Sequence, residues 1–179
     1  MSALSRYLML CFLVAGGLLH ATWAMASAPL PEYTVKAGYL YNFAMLTEWP
    51  SNTAGEDLEL CLIGNDDFVP ALETLQGKTV NKRRINVRIL TQAGEVKGCH
   101  VLFISEVGRS EFAQLKREIG SRPILTVTDS EVLARSGVAI FLRPEGQRLV
   151  FEINTNAVRN ADLNISARLL RLARVGVGE

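Results

Sequence analysis

Short apolar runs recur along the chain: residues 58–63 (LELCLI), 101–104 (VLFI), 123–127 (PILTV) and 138–142 (VAIFL). This spacing constrains the fold more than any other feature. A run with no polar alternation has no face to offer water, so both of its sides must be covered. The stretches between the runs read as helices. Residues 33–49 carry Val35, Tyr39, Leu40, Phe43 and Leu46 at helical spacing and stop at Trp49-Pro50, because a residue before proline avoids the α region. Asn65-Asp66-Asp67 caps a short helix over 68–75, with Pro70 near its start and Gly77 past its end. Ser110 opens a helix that runs to Ile119 and ends at Gly120. A helical turn follows over 130–135, and a C-terminal helical region extends from Asn154 to about Val175.

Two further segments complete the sheet. Residues 85–90 (INVRIL) alternate apolar and polar, as a half-exposed strand does. Residues 138–142 and 149–153 flank the turn Pro144-Glu145-Gly146 and form a hairpin. The expected architecture is α/β: three layers, a mainly parallel sheet with helices on both faces and an antiparallel edge hairpin.

The first 26 residues are expected to lie outside this fold. Arg6 precedes a twelve-residue apolar run over 8–19, too short to span roughly 30 Å of hydrocarbon as a helix. Ala24-Met25-Ala26 then offers a small-residue cleavage site before Ser27. The three zones together read as a secretory signal peptide over 1–26, leaving 27–179 as a single domain. The chain has 19 basic and 18 acidic residues, and losing Arg6 leaves 18 of each. A formally neutral domain lacks the basic excess that phosphate neutralisation requires, so no nucleic acid is expected as a partner.

Two cysteines remain after cleavage, Cys61 and Cys99. They can be two buried thiols acting as small hydrophobes, or a disulfide. Export to an oxidising compartment favours the disulfide. Closing a loop of about 39 residues contributes about 4 kcal/mol in the chain-entropy model.

Little else suggests chemistry, and no catalytic, metal or cofactor residues are assigned. The mature chain has one histidine, His100, which excludes a multi-histidine zinc site. His100 follows Cys99, but neighbouring strand residues point to opposite faces, which places the two poorly for a catalytic pair. There is no G-x-S-x-G elbow, phosphate-binding loop or dinucleotide fingerprint. Lys82-Arg83-Arg84 reads as a solvated turn. Surface-forming residues are more telling. Tyr39, Tyr41 and Phe43 exceed what one buried face needs. In the last helical region Arg168, Arg171 and Arg174 recur every three residues beside Leu163, Ile165, Leu169, Leu170 and Leu172. Such a stripe either packs as a helix end that favours cations or docks against carboxylates. From expected exposure, the candidate partner-binding residues are Tyr41 and Trp49 at the first helix and Arg168, Arg171 and Arg174 at the last.

Several blocks carry a family resemblance: EYTVKAGYLYNF over 32–43 with Glu48-Trp49-Pro50, CLIG over 61–64, CHVLFIS over 99–105, PILTVTD over 123–129, FEIN over 151–154 and ISARLLRLARV over 165–175. In this order they resemble the YfiR family across nearly all of the mature chain. The resemblance implies a periplasmic protein that is not an enzyme. It implies that the protein binds the periplasmic sensor domain of an inner-membrane diguanylate cyclase and represses it, lowering cyclic di-GMP signalling and biofilm formation. An outer-membrane lipoprotein that sequesters the repressor is implied as a second partner. The family's disulfide falls on Cys61 and Cys99, whereas a second disulfide found in some members has no cysteines here between 141 and 151. Exposed apolar residues that need cover allow a homodimer. The rival expectations are a periplasmic small-molecule-binding module serving another membrane sensor, with its ligand at the sheet's C-terminal edge near Gly64, Asn65 and Ser105, and a thiol enzyme using Cys99.

Overall fold

The computed structural model describes residues 32–51, 57–64, 66–105 and 107–174, so the expected signal peptide lies outside the described residues. The chain opens with α1 (Glu32–Met45), β1 (Thr47–Glu48) and β2 (Asp57–Ile63). A short 3₁₀ turn leads into α2 (Val69–Glu73), then β3 (Thr79–Val80) and β4 (Arg83–Leu90). After a second 3₁₀ turn come β5 (Val101–Ile104), α3 (Arg109–Ile119), β6 (Leu125–Thr128) and α4 (Glu131–Ala134). The chain ends with β7 (Ile140–Glu145), β8 (Arg148–Ile153), α5 (Thr155–Asn160), β9 (Asn164–Ile165) and α6 (Ala167–Leu172).

The large sheet has the order β3-β4-β2-β5-β6-β7-β8. Its five inner strands are parallel, and both edges are antiparallel. The apolar runs occupy the middle, as their lack of alternation requires. Leu58, Leu60, Leu62, Val101, Phe103, Leu125 and Val127 face one core with α1. Cys61, Ile63, Leu102 and Ile104 face a second core with Phe112 and Leu115 of α3. Helices therefore cover both faces, as expected. Buried threonines in β6 are hydrogen-bonded: Thr126 Oγ1 accepts the Ala139 N–H at 2.9 Å, and Thr128 Oγ1 donates to Ile104 O at 2.7 Å.

Cys61 and Cys99 are joined, with Cα atoms 5.9 Å apart. The bridge ties the middle of β2 to the residues that lead into β5, inside the α3-side core.

Three local expectations change. The first helix stops at Met45, because Thr47 and Glu48 pair antiparallel with Ile165 and Asn164 in a separate two-stranded sheet. The same pairing divides the C-terminal helical region into α5 and α6. Leu163 and Ile165 are two residues apart and both buried, which is strand rather than helix spacing. The helix over 68–75 contracts to a 3₁₀ turn at Asp66–Phe68 and five residues of α2. A second hairpin also appears. Asn81 and Lys82 adopt φ of 50° and 70°, the positive values that a two-residue hairpin turn requires.

Replacing both cysteines by serine should lower stability by about 2–4 kcal/mol, read as an earlier midpoint in urea unfolding with the slope nearly unchanged.

Candidate partner-binding surface

Numbered along the chain, the first parallel strand (β2) lies between the second (β4) and the third (β5). In sheets of this order ligands bind beyond the carboxyl ends of the strands, at that change of direction. Here the crevice is filled. Gly64 follows β2 with φ +113°, and a Cβ there would lie 1.7 Å from the Ser105 carbonyl oxygen after β5. Asn65 lies outside the described residues. Ser105 Oγ donates to Asp129 Oδ1 at 3.2 Å. Lys36 of α1 places its ammonium 2.7 Å from Asp129 Oδ2 and 2.6 Å from Glu32 Oε1. Tyr33 stacks on Phe68 with ring centroids 5.5 Å apart, and the Lys36 ammonium sits 5.3 Å from the Tyr33 ring centre. The first turn of α1 therefore occupies the place where a ligand sits in related topologies.

Lys36 is only 5% exposed. Burial pulls its pKa down, but the hydrogen bonds and charges of Asp129 and Glu32 outweigh that and raise it above the ordinary value of 10.5. The sequence does hold a signal for this contact. Lys36 shares the apolar stripe of α1 with Leu40 and Phe43, where a lysine needs a buried partner.

At the opposite end of the strands, Trp49 Nε1 donates to His100 O at 3.2 Å, and the Trp49 and His100 rings meet edge to face at 6.0 Å. His100 is buried. Its Nδ1 accepts the Glu59 N–H at 3.1 Å, and its Nε2 lies 2.8 Å from Arg83 Nη2. Arg83 also donates to Asp57 O at 2.5 Å. Within Lys82-Arg83-Arg84 the middle residue is therefore structural. Tyr41 is half-buried and donates its hydroxyl to Thr79 O at 3.1 Å. Tyr41 and Trp49 both pack on the α1-side core, Trp49 with its N–H in a partly buried bond and Tyr41 with its hydroxyl at the exposed sheet edge.

The arginines of the C-terminal segment separate into two kinds. Ser166 caps α6, accepting the Leu169 N–H at 3.2 Å, and Leu169 anchors the helix in the α1-side core. Around that anchor, Leu170 is 43% and Leu172 62% exposed. Arg168 and Arg171 are exposed beside them and have no ion-pair partner among the described residues. Arg174 is engaged: its N–H donates to Phe151 O at 2.8 Å, and its Nη2 lies 2.9 Å from Glu145 Oε2. It joins the end of α6 to the edge hairpin.

The described residues hold no cluster of three or more metal-ligating side chains and no helix long and apolar enough to cross a membrane. What remains is a disulfide-linked, doubly wound α/β domain with a closed ligand crevice and a helix that presents leucines between unpaired arginines. The chain belongs to the YfiR/HmsC-like family, whose model matches residues 33–174. This is a regulatory family, known for periplasmic regulators of diguanylate cyclases. The family expectation from the sequence blocks thus stands, and the Cys61–Cys99 bridge agrees with an oxidising compartment.

Lys36→Met should destabilise the domain by about 1–3 kcal/mol, because it leaves the half-buried Asp129 carboxylate without its cation. The raised Lys36 pKa gives the sign of the pH dependence. Lys36 contributes in full below its ordinary value of 10.5, and the contribution is lost as pH climbs through the raised value. The gap between wild type and variant in chemical unfolding should therefore be constant from pH 7 to 9 and shrink only in stronger alkali.

Proposed function

We propose that this chain is a periplasmic protein that binds the periplasmic sensor domain of an inner-membrane diguanylate cyclase and holds the cyclase inactive, lowering cyclic di-GMP signalling and biofilm formation. The observation that carries this reading is the YfiR/HmsC-like match across residues 33–174. The disulfide supports export, and the filled crevice supports action through an outer surface. Repression requires tighter binding to the inactive conformation of the sensor, since equal affinity for both conformations shifts nothing. An outer-membrane lipoprotein that sequesters the protein provides a route to release.

The exposed face of α6 is the contact we assign first. Arg168 and Arg171 offer guanidinium forks for carboxylates, and Leu170 and Leu172 offer apolar area whose burial contributes roughly 25 cal/mol per Å². Tyr41 and Trp49 add ring edges, because their polar atoms are already engaged. Arg174 sets the position of α6 more than it reaches outward.

A second reading has one specific observation in its favour. A groove of about 530 Å³ lies between α4 and the β7–β8 hairpin, with Val138, Ala139, Phe141 and Pro144 among its lining residues. That volume falls in the range of small-molecule sites. A ligand there would make the chain a binding module for another membrane sensor, and a metabolite that raises the melting temperature would reveal it.

The test of the first reading is co-purification of the mature protein with the periplasmic domain of a diguanylate cyclase encoded beside its gene, with cellular cyclic di-GMP measured on deletion. Retention of the domain and a rise in cyclic di-GMP are expected. No retention and an unchanged level would overturn the reading. Arg168→Glu combined with Arg171→Glu should weaken binding at least tenfold, about 1.4 kcal/mol, with the melting temperature unchanged within a few degrees. Arg174→Ala should weaken it less.

A further inference from the structure

A sheet that does not close into a barrel ends in two edge strands, each turning a row of backbone N–H and C=O groups to solvent. The large sheet treats its two edges differently. Every second residue of a strand directs both of its groups to the same side, and on β8 the outward carbonyls are those of Leu149 and Phe151. Both are taken. The Tyr39 hydroxyl donates to Leu149 O at 2.6 Å, and the Arg174 N–H donates to Phe151 O at 2.8 Å. Helix α1 and the residues after α6 thus cover that edge.

The other edge is covered only in part. β3 pairs with Arg83 and Arg84 of β4 and no further. Lys78 O then accepts the Ile85 N–H and Gly77 N–H donates to Ile85 O, both at 2.8 Å. Gly77, at φ +75°, bends the chain out of the ladder. One side chain extends the cover by a single bond, where Gln76 Oε1 accepts the Val87 N–H at 2.6 Å. Since Ile85 and Val87 face outward, Ile89 does too. Its N–H and C=O, and the Val87 C=O, meet no hydrogen-bond partner among the described residues. The Ile89 side chain is 41% exposed.

We propose that the β4 edge over residues 87–90 docks an extended segment of the sensor domain, which adds a strand to the large sheet; this rests on the diguanylate cyclase reading above. Edges that must stay free are guarded by lysine, proline or a bulge. Residues 87–90 (VRIL) contain neither lysine nor proline. Their one charge, Arg88, is tied down to Glu95 O at 3.1 Å and Lys97 O at 3.3 Å. The two faces of β4 define the occupant. Val87 lies beside Leu60 and Ile89 beside Leu62 on the α1-side face. Asn86 and Arg88 lie on the other face with Glu59. The added strand therefore alternates apolar and polar, with an apolar residue beside Ile89. A second copy fits poorly: antiparallel pairing about Ile89 would set Arg88 diagonal to its own duplicate, like charges on one face.

The edge and α6 are separate contacts. Arg174 joins the end of α6 to β8, and β8 is five places from β4 in the sheet, about 24 Å. They also contribute differently. Backbone pairing fixes the orientation and register of the bound segment but reads little of its sequence, whereas Arg168 and Arg171 discriminate by charge. Side chains this far apart with no shared partner act additively, so each contact can be removed without disturbing the other.

The test combines calorimetry with amide hydrogen exchange, using the oxidised mature chain, residues 27–179, and the periplasmic domain of the cyclase encoded beside its gene. In the free chain the Ile89 amide should exchange far faster than that of Leu62 in the sheet centre. Binding should slow it roughly tenfold or more. Ile89→Lys, which installs the missing guard, should raise the Kd roughly tenfold, and Ile89→Val should leave it nearly unchanged, both with melting temperatures within a few degrees of wild type. Should Ile89→Lys fail to fold, exchange in the wild-type complex still decides. Binding that leaves the Ile89 amide fast, or that tolerates Ile89→Lys, overturns the strand contact while the sensor reading stands. Absence of any binding by wild type overturns both. Slowing of the Ile89 amide in the free chain as its concentration rises assigns the edge to a second copy and overturns the proposal.

Discussion

The register of β2 against its neighbours is the constraint on which the rest of the molecule depends. β4 pairs with it from Asp57↔Arg84 to Ile63↔Leu90, and β5 takes the other side from Leu60↔Val101 to Ile63↔Ile104. Both faces of β2 are buried, Leu58, Leu60 and Leu62 on one side and Cys61 and Ile63 on the other. A slip of one residue would exchange these sets and drive Glu59 into the α1-side core. Two local features reinforce the register. The Cys61–Cys99 bridge fixes where β5 begins. At the other end, Gly64 touches the Ser105 carbonyl so closely that no side chain fits. The outer strands and both helical layers are built on that central pair.

Closing the carboxyl end of β2 and β5 has a consequence for function. The position where this strand order normally receives a ligand is taken by the ammonium of Lys36, held by Asp129 and Glu32. Replacing a buried ion pair with apolar residues of similar size is often neutral or stabilising, so the pair is not explained by stability alone. Its directional bonds fix the rotation and height of α1 on the sheet. That in turn sets where Thr47 and Glu48 meet β9, and through Ser166 where α6 begins. The interior contact and the exposed helix belong to one chain of positioning, which runs from the sheet's carboxyl edge to the surface.

The fold was legible because its central strands are apolar on both faces, a pattern only a covered sheet satisfies. Residues 101–104 emerge as β5 with the expected bounds. The missed elements are all two-residue strands: β3, which turns back on β4 across Asn81-Lys82, and β1 and β9, which pair with each other from opposite ends of the domain. Local preference carries no trace of such pairing, and a helical reading of 154–175 failed because Leu163 and Ile165 answer to β1. The surface was half legible. Exposure of Arg168 and Arg171 follows from α6 burying only its Leu169 side, with Arg171 opposite it and Arg168 on its flank. The engagement of Arg174 does not, because Glu145 and Phe151 lie more than twenty residues away. Tyr41 and Trp49 read as exposed aromatics, yet each is half-buried and gives its polar hydrogen to a carbonyl that only the folded chain brings near.

Charge placement matters on a chain whose formal net charge is only +1. A neutral chain has little field beyond a Debye length of about 8 Å at physiological salt, so long-range steering cannot select a partner. On the proposed reading, selection falls to contact, where Arg168 and Arg171 reward carboxylates and penalise cations. Most of the affinity must then come from burying Leu170 and Leu172, and the arginines decide which apolar surface is accepted. On the far side of the sheet the hairpin face balances its own charges, Arg143 with Glu152 and Glu145.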